Sequence, residues 1–148
     1  MPLNKDALRE LMPHAGAMCL LDTVQSWDEH SIACCTHSHR DADNPLRSRG
    51  RLHAVCGIEY ALQAMAAHGG LLARERGTRA AAGFLAQVRD VEWCVERLDD
   101  IAADLMIMAQ RLIGGEDGSV YRFTISAGGV ELASGRAAVF LRAAGGGP

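Results

Sequence analysis

Between Arg51 and Arg74 the chain carries one formal charge, the carboxylate of Glu59, among residues that are otherwise apolar, small or uncharged. An unpaired carboxylate in apolar surroundings costs several kcal/mol, so it must be paired, protonated or opened to a polar cleft. A cleft in which the carboxyl transfers protons meets that demand. The plainer alternative is an acid that complements the positive end of a helix, worth about 0.3 to 1 kcal/mol when exposed. Such a surface position would not need apolar neighbours. Gln63, one turn further on the same helical face, could orient the carboxylate or simply bond within the helix. Val55-Cys56-Gly57 lies just ahead, where unpaired N–H groups at a helix start favour a developing negative charge. Gly57 leaves room there for a ligand, or for close helix packing.

Other residues of chemical interest fall on either side. Arg40, Arg47, Arg49 and Arg51 crowd a stretch that also holds Pro45 and Gly50, and so reads as a loop. They would suit an acidic or phosphate-bearing partner through charge-assisted hydrogen bonds, solvated loop charges being the bland reading. His37 and His39 share one side of a strand and could ligate a metal with Cys35, but no third imidazole has a familiar spacing, so no metal is expected. Cys56 at a helix start could be a nucleophile, with a small core residue as the stronger reading. His14 and His68 read as packing or hydrogen-bonding groups.

The elements that must position these side chains follow from periodicity. Asn4 can cap a short helix carrying Ala7, Leu8 and Leu11 and ending before Pro13. Met18 to Trp27 and Ser31 to His37 alternate and predict a hairpin. His39 to Leu52 is polar and without a period, a long loop. From Ala54 to Arg74, Ile58, Ala61, Leu62, Met65, Ala66 and Gly69 recur at helical spacing, with no charged face, so the helix is buried on most sides. Four further strands are expected over Gly83 to Val95, Ile101 to Ile113, Ser119 to Ser126 and Val130 to Leu141; the second also has helix-favouring residues. A sheet curling around the helix, α+β in class, is the economical way to bury it.

Composition closes several doors. With 148 residues, 49% hydrophobic and 22% charged, the chain can bury a core without staples. Its formal net charge of -3 gives no global attraction to nucleic acid. Five cysteines, odd in number and without CxxC spacing, fit a reducing cytoplasm. The segment MPLNKDALRELMPH does not read as a signal peptide, and no stretch reads as membrane-spanning.

Asn44-Pro45-Leu46, then Gly57-Ile58-Glu59-Tyr60 with Gln63 four residues after the Glu, resembles the 3-hydroxyacyl-ACP dehydratases of the hotdog fold. Pro13-His14 followed by Leu20-Leu21-Asp22 is similar to that family's first strand. The likeness covers nearly the whole chain. It is greatest to the predicted hotdog dehydratases of aryl polyene pigment clusters, through Asn44 to Arg47, Gly57 to Gln63 and Ala67-His68. The resemblance implies one hotdog domain over residues 1–148, with 143–148 a frayed tail, no cofactor, and a homodimer or a heterodimer with a related hotdog subunit.

In the dehydratases that this chain resembles, a loop His moves a proton while an acid on the central helix of the other subunit assists departure of the hydroxyl. Glu59 takes the acid's place. Asn44 stands where the His is expected, and a carboxamide cannot exchange a proton near neutral pH. Three readings remain: dehydration with Glu59 as acid and base, Asn44 positioning substrate and His53 replacing the imidazole; a hotdog thioesterase; or a non-catalytic subunit beside an active dehydratase. For a catalytic subunit, Gly57, Gln63 and His53 would line the substrate, an acyl carrier protein or coenzyme A thioester, and Arg47 and Arg49 would meet the carrier.

Overall fold

Asn4 caps helix α1 (Lys5–Leu11) as the sequence predicts, its side-chain oxygen accepting the Ala7 N–H at 3.0 Å. The computed structural model describes residues 2–11, 18–78, 83–114 and 118–142. Pro13-His14 and the 143–148 tail lie outside the described residues. Leu3 pairs with Val24 through backbone bonds of 2.8 and 2.9 Å and so blunts one edge of the sheet.

Strands β1 (Thr23–Trp27) and β2 (Ser31–Thr36) form the expected hairpin, but β1 starts at Thr23 instead of Met18. The reason lies in distant partners: the Leu20 N–H goes to the Gln63 side chain and the Leu20 carbonyl to the Thr36 and Ser38 hydroxyls, so neither joins a strand ladder. A 3-10 turn (Ala54–Cys56) leads into the long helix α2 (Gly57–Glu75). Its small residues permit close contact; a Cβ on Gly70 would stand 3.1 Å from the Leu11 carbonyl of α1.

Four more strands follow: β3 (Gly83–Trp93), β4 (Leu105–Gly114), β5 (Gly118–Ala127) and β6 (Val130–Arg142). The six strands make one antiparallel sheet in the order β1-β2-β4-β5-β6-β3. Helix α2 therefore carries the chain from β2 to the far edge, and the chain then returns to place β4 beside β2. This is the hotdog arrangement of one long helix against a six-stranded antiparallel sheet. Strand β4 opens at Leu105, four residues later than Ile101, because the carbonyls of Ile101, Ala102 and Ala103 turn aside to the side chains of His39 and Arg40.

The core lies between α2 and the inner sheet face, where Tyr60, Ala64, Ile107, Phe123 and Ile125 are buried. His68 fastens helix to sheet. Its Nε2 lies 2.8 Å from the Asp28 carbonyl and its Nδ1 2.6 Å from the Tyr121 hydroxyl. The carbonyl can only accept, so Nε2 carries the proton and the tyrosine donates to Nδ1. Burial pushes the His68 pKa down and the Tyr121 pKa up to about 12, so both stay neutral. No described helix is long and apolar enough to cross a membrane.

Candidate active site

The start of α2 is fixed by a short backbone pairing that the sequence does not advertise. Leu98 N–H donates to the Leu52 carbonyl at 2.8 Å and Ala54 N–H to the Glu96 carbonyl at 2.9 Å. Asp99 accepts the Leu52 N–H at 2.9 Å and ion-pairs with Arg97. The Arg97 guanidinium holds the Asp99 carboxyl well below the usual carboxylate range.

Glu59 lies in the first turn of α2 and is half-buried. Gln63 holds it. The Gln63 Nε2 donates to Glu59 Oε1 at 3.2 Å and to the Met18 carbonyl at 2.6 Å, while its Oε1 accepts the Leu20 N–H at 2.8 Å. Since a backbone N–H can only donate, that last bond fixes which end of the amide faces the carboxylate. Val55, one turn earlier, is 59% exposed, and Met18, whose carbonyl Gln63 holds, is 37% exposed.

Tyr60, the next residue, points the opposite way, into a closed network. Its hydroxyl lies 2.8 Å from Ser38 Oγ and accepts from Asn44 Nδ2 at 3.0 Å. Asn44 also donates to the Ser38 carbonyl at 2.8 Å and accepts the Leu46 N–H at 2.9 Å. Below them Ser38 and Thr36 meet the Leu20 carbonyl. Asp22 completes the cluster, accepting from Lys5 at 3.0 Å and from the His37 N–H at 2.8 Å. Burial works against the Asp22 charge, yet these donors and the Thr36 hydroxyl lower its pKa.

A family model described as ApeP-like, ApeP dehydratase, matches residues 6–144. The chain belongs to the ApeP-like dehydratase family. This places it among the hotdog proteins of acyl-thioester dehydration or hydrolysis. Among solved structures, the chain is similar to one in the dehydratase heterocomplex ApeI:P from Xenorhabdus doucetiae, at 23% identity and a TM-score of 0.85, covering 94% of this chain and 93% of that one. The PaaI protein of the E. coli phenylacetic acid degradation operon is similar at 17% identity and TM-score 0.59, covering 91% and 92%. Zebra fish thioesterase superfamily member 2 is similar at 19% identity and TM-score 0.61, covering 93% and 94%. At these identities the structures share the fold. No curated protein matches the sequence.

Several residues of this ApeP-like chain stand elsewhere than its sequence leads one to expect. Asn44 is only 6% exposed and its carboxamide is satisfied within its own subunit, so it clamps the loop instead of facing a substrate. Gly57 turns its N–H back onto the carbonyls of Ala54 and Val55, which takes away a free donor for an oxyanion. The room beside it is filled as well, since a Cβ there would stand 2.8 Å from Ile125 Cδ1, so close packing explains the glycine. His53 is exposed, bridged to Arg97, with no hydrogen bond to Glu59 or Asn44 among the described residues.

The loop arginines divide. Arg47 spends its guanidinium on the carbonyls of Gly50 at 2.9 Å and Arg40 at 3.1 Å, which makes it a loop brace. Arg40 pairs with Asp104 at 2.9 Å. Arg49 and Arg51 are exposed and without an ion-pair partner among the described residues. Cys56 is unsuited to nucleophilic work, because burial pushes its thiol pKa up. His37 turns to Asp22 and Asp41 while buried His39 turns to the carbonyls of Ile101 and Ala103, so the two imidazoles diverge. Ser38, Thr36 and Asp99, which hold the site together, carry no sequence signal of that role, and Tyr60 enters the sequence reading only as the residue after Glu59 in the family-like motif.

Proposed function

We propose that this ApeP-like chain is a subunit of a 3-hydroxyacyl-thioester dehydratase, with Glu59 as the proton-transferring group. The observation that carries the reading is the half-buried Glu59 carboxylate, gripped by Gln63 at 3.2 Å, with exposed Val55 one turn before it. Glu59 takes the proton from the carbon next to the thioester carbonyl and returns it to the departing hydroxyl. The carbon–oxygen bond breaks, the carbon–carbon double bond forms, and water leaves. Gln63 orients the carboxylate, and its own anchors on Met18 and Leu20 keep that orientation through the cycle.

A second subunit covers the open side of Glu59. The similar ApeI:P structure is a dehydratase heterocomplex, which favours a related hotdog partner over an identical one. With Asn44 satisfied internally, such a partner is also the natural source of an imidazole, and the thioester carbonyl finds its hydrogen-bond donor at the shared boundary instead of at Gly57. Arg49, exposed at the loop tip, contacts the phosphate of a carrier-bound pantetheine arm.

Incubating the protein with a 3-hydroxyacyl carrier protein, alone and with a related hotdog subunit, and following products by mass spectrometry tests this. Loss of water that disappears with Glu59→Gln is the expected result. Hydrolysis of the thioester without water loss would make the chain a thioesterase. Dehydration by the mixture that survives Glu59→Gln would make it a supporting subunit only.

A further inference from the structure

The sheet face turned away from α2 carries a row of arginines in register. Arg122 on β5 lies directly opposite Arg136 on β6, and Arg136 directly opposite Arg89 on β3; Gln110 on β4 continues the row beyond Arg122. The chain neighbours of Arg122 and Arg136, namely Tyr121, Phe123, Gly135 and Ala137, are buried; strand alternation puts these two arginines on the outer face, Arg89 joins them by its register with Arg136, and all three are exposed. Arg89 lies 3.5 Å from the exposed Asp90, whereas Arg122 and Arg136 have no ion-pair partner among the described residues. Like charges directly opposite one another destabilise a sheet. In a chain of net charge -3, three aligned cations make a local positive field against the overall sign.

We propose that this outer face docks an acidic helix of a partner protein, its carboxylates pairing with Arg122, Arg136 and Arg89. Opposed residues on neighbouring strands are about 4.5 to 5.5 Å apart, and side chains three or four apart on a helix are about 5 to 6 Å apart. A helix laid across the strands thus presents carboxylates nearly in step with the row. Two exposed apolar side chains of the same face, Met108 on β4 and Phe140 on β6, flank the row and give the helix something to cover. A planar anionic membrane fits less well, because Glu92 and Glu131 stand exposed on neighbouring positions of the sheet. Face-to-face stacking of two identical copies would oppose the rows of like charge. The docking is independent of the chemistry at Glu59.

The test uses the full chain and a fluorescent helical peptide with glutamate at every fourth position, with its glutamine counterpart as control. At about 50 mM salt the glutamate peptide binds and the glutamine peptide does not; binding weakens steeply toward about 500 mM. Arg122→Gln/Arg136→Gln lowers the affinity about tenfold or more, while Arg122→Lys/Arg136→Lys stays within about threefold of the parent. Relief of the like-charge row also raises the Tm of the glutamine variant at low salt, which shows that it folds. Unchanged peptide affinity in the glutamine variant overturns the proposal, and so does tighter binding of phosphatidylglycerol vesicles or of oligothymidylate than of the peptide.

Discussion

Glu59 and Tyr60 are neighbours on one helical turn, yet they serve regions of opposite character. Around Tyr60 the polar groups of Ser38, Asn44, Thr36 and the Leu20 backbone meet one another within a single subunit. Glu59 has one side-chain bond among the described residues, to Gln63, and Val55, one turn before it, is exposed. A network whose donors and acceptors are matched is rigid and has no capacity left for a ligand. A carboxylate with spare lone pairs at an open boundary keeps that capacity. The closed side positions the helix and the loop; the open side is where the proposed chemistry and the proposed partner would meet.

The largest effect should come from the open side. Glu59→Gln keeps the size of the side chain and removes the transferable proton, so dehydration by the assembled protein should fall about 100-fold or more while the Tm moves little. The comparison breaks if the Tm drops sharply with the rate, because Glu59 would then be a structural group like Tyr60. Progress curves and thermal melts on the same preparation separate the two outcomes.

The closed side should answer in stability. Asn44→His puts an imidazole where the resemblance leads one to expect it, yet the ring cannot replace both amide donors and the acceptor that Tyr60, Ser38 and Leu46 require. Unfolding in urea should show a loss of about 1 to 3 kcal/mol, the cost of leaving buried polar groups unpaired. No gain in dehydration should accompany it. A faster, undiminished variant would show that the loop can open toward substrate and that Asn44 belongs with Glu59 after all.

How far the sequence could show this division depends on range. The long helix, the capping Asn4 and the strand segments follow from periodicity within a dozen residues, and the structure has them. The i,i+4 relation of Glu59 and Gln63 is local too, and they are hydrogen-bonded. What lay beyond reach were contacts between distant segments: Leu20 carbonyl with Ser38, Asn44 with Tyr60, and Leu52 with Leu98. Nothing in spacing tells a carboxamide whether its partner is substrate or a tyrosine from the next element. For the same reason Ile101–Asp104 read as strand, although its carbonyls leave the ladder for His39 and Arg40.

Acid should loosen the fold through its two buried imidazoles, His39 and His68. Burial lowers the pKa of both His39 and His68 from the ordinary value of 6.5. In the unfolded chain these rings take up protons as pH falls through about 6.5, whereas in the fold they resist until lower pH. Stability is therefore complete above that range and drains away as pH drops below it. The groups facing the rings are mixed in sign, Arg40 and Asp104 for His39, Arg111, Asp28 and His30 for His68, so burial decides the direction. Melts from pH 8 to pH 5 should show a falling Tm, and His68→Gln should flatten part of the slope. A Tm that rises on acidification would contradict the buried, neutral assignment.

The smallest effects sharpen the same contrast within one loop. Arg47 gives its guanidinium to the carbonyls of Arg40 and Gly50, so Arg47→Ala should cost about 1 kcal/mol of stability through lost hydrogen bonds. Arg49 is exposed, and Arg49→Ala should change stability by no more than about 0.5 kcal/mol. Carrier affinity should show the reverse order at low salt: Arg49→Ala weakens binding several-fold, and the difference fades as ions screen the exposed charge. If Arg47→Ala instead loses the carrier and keeps its Tm, the brace releases in the complex. The loop around Asn44 would then count with the open side.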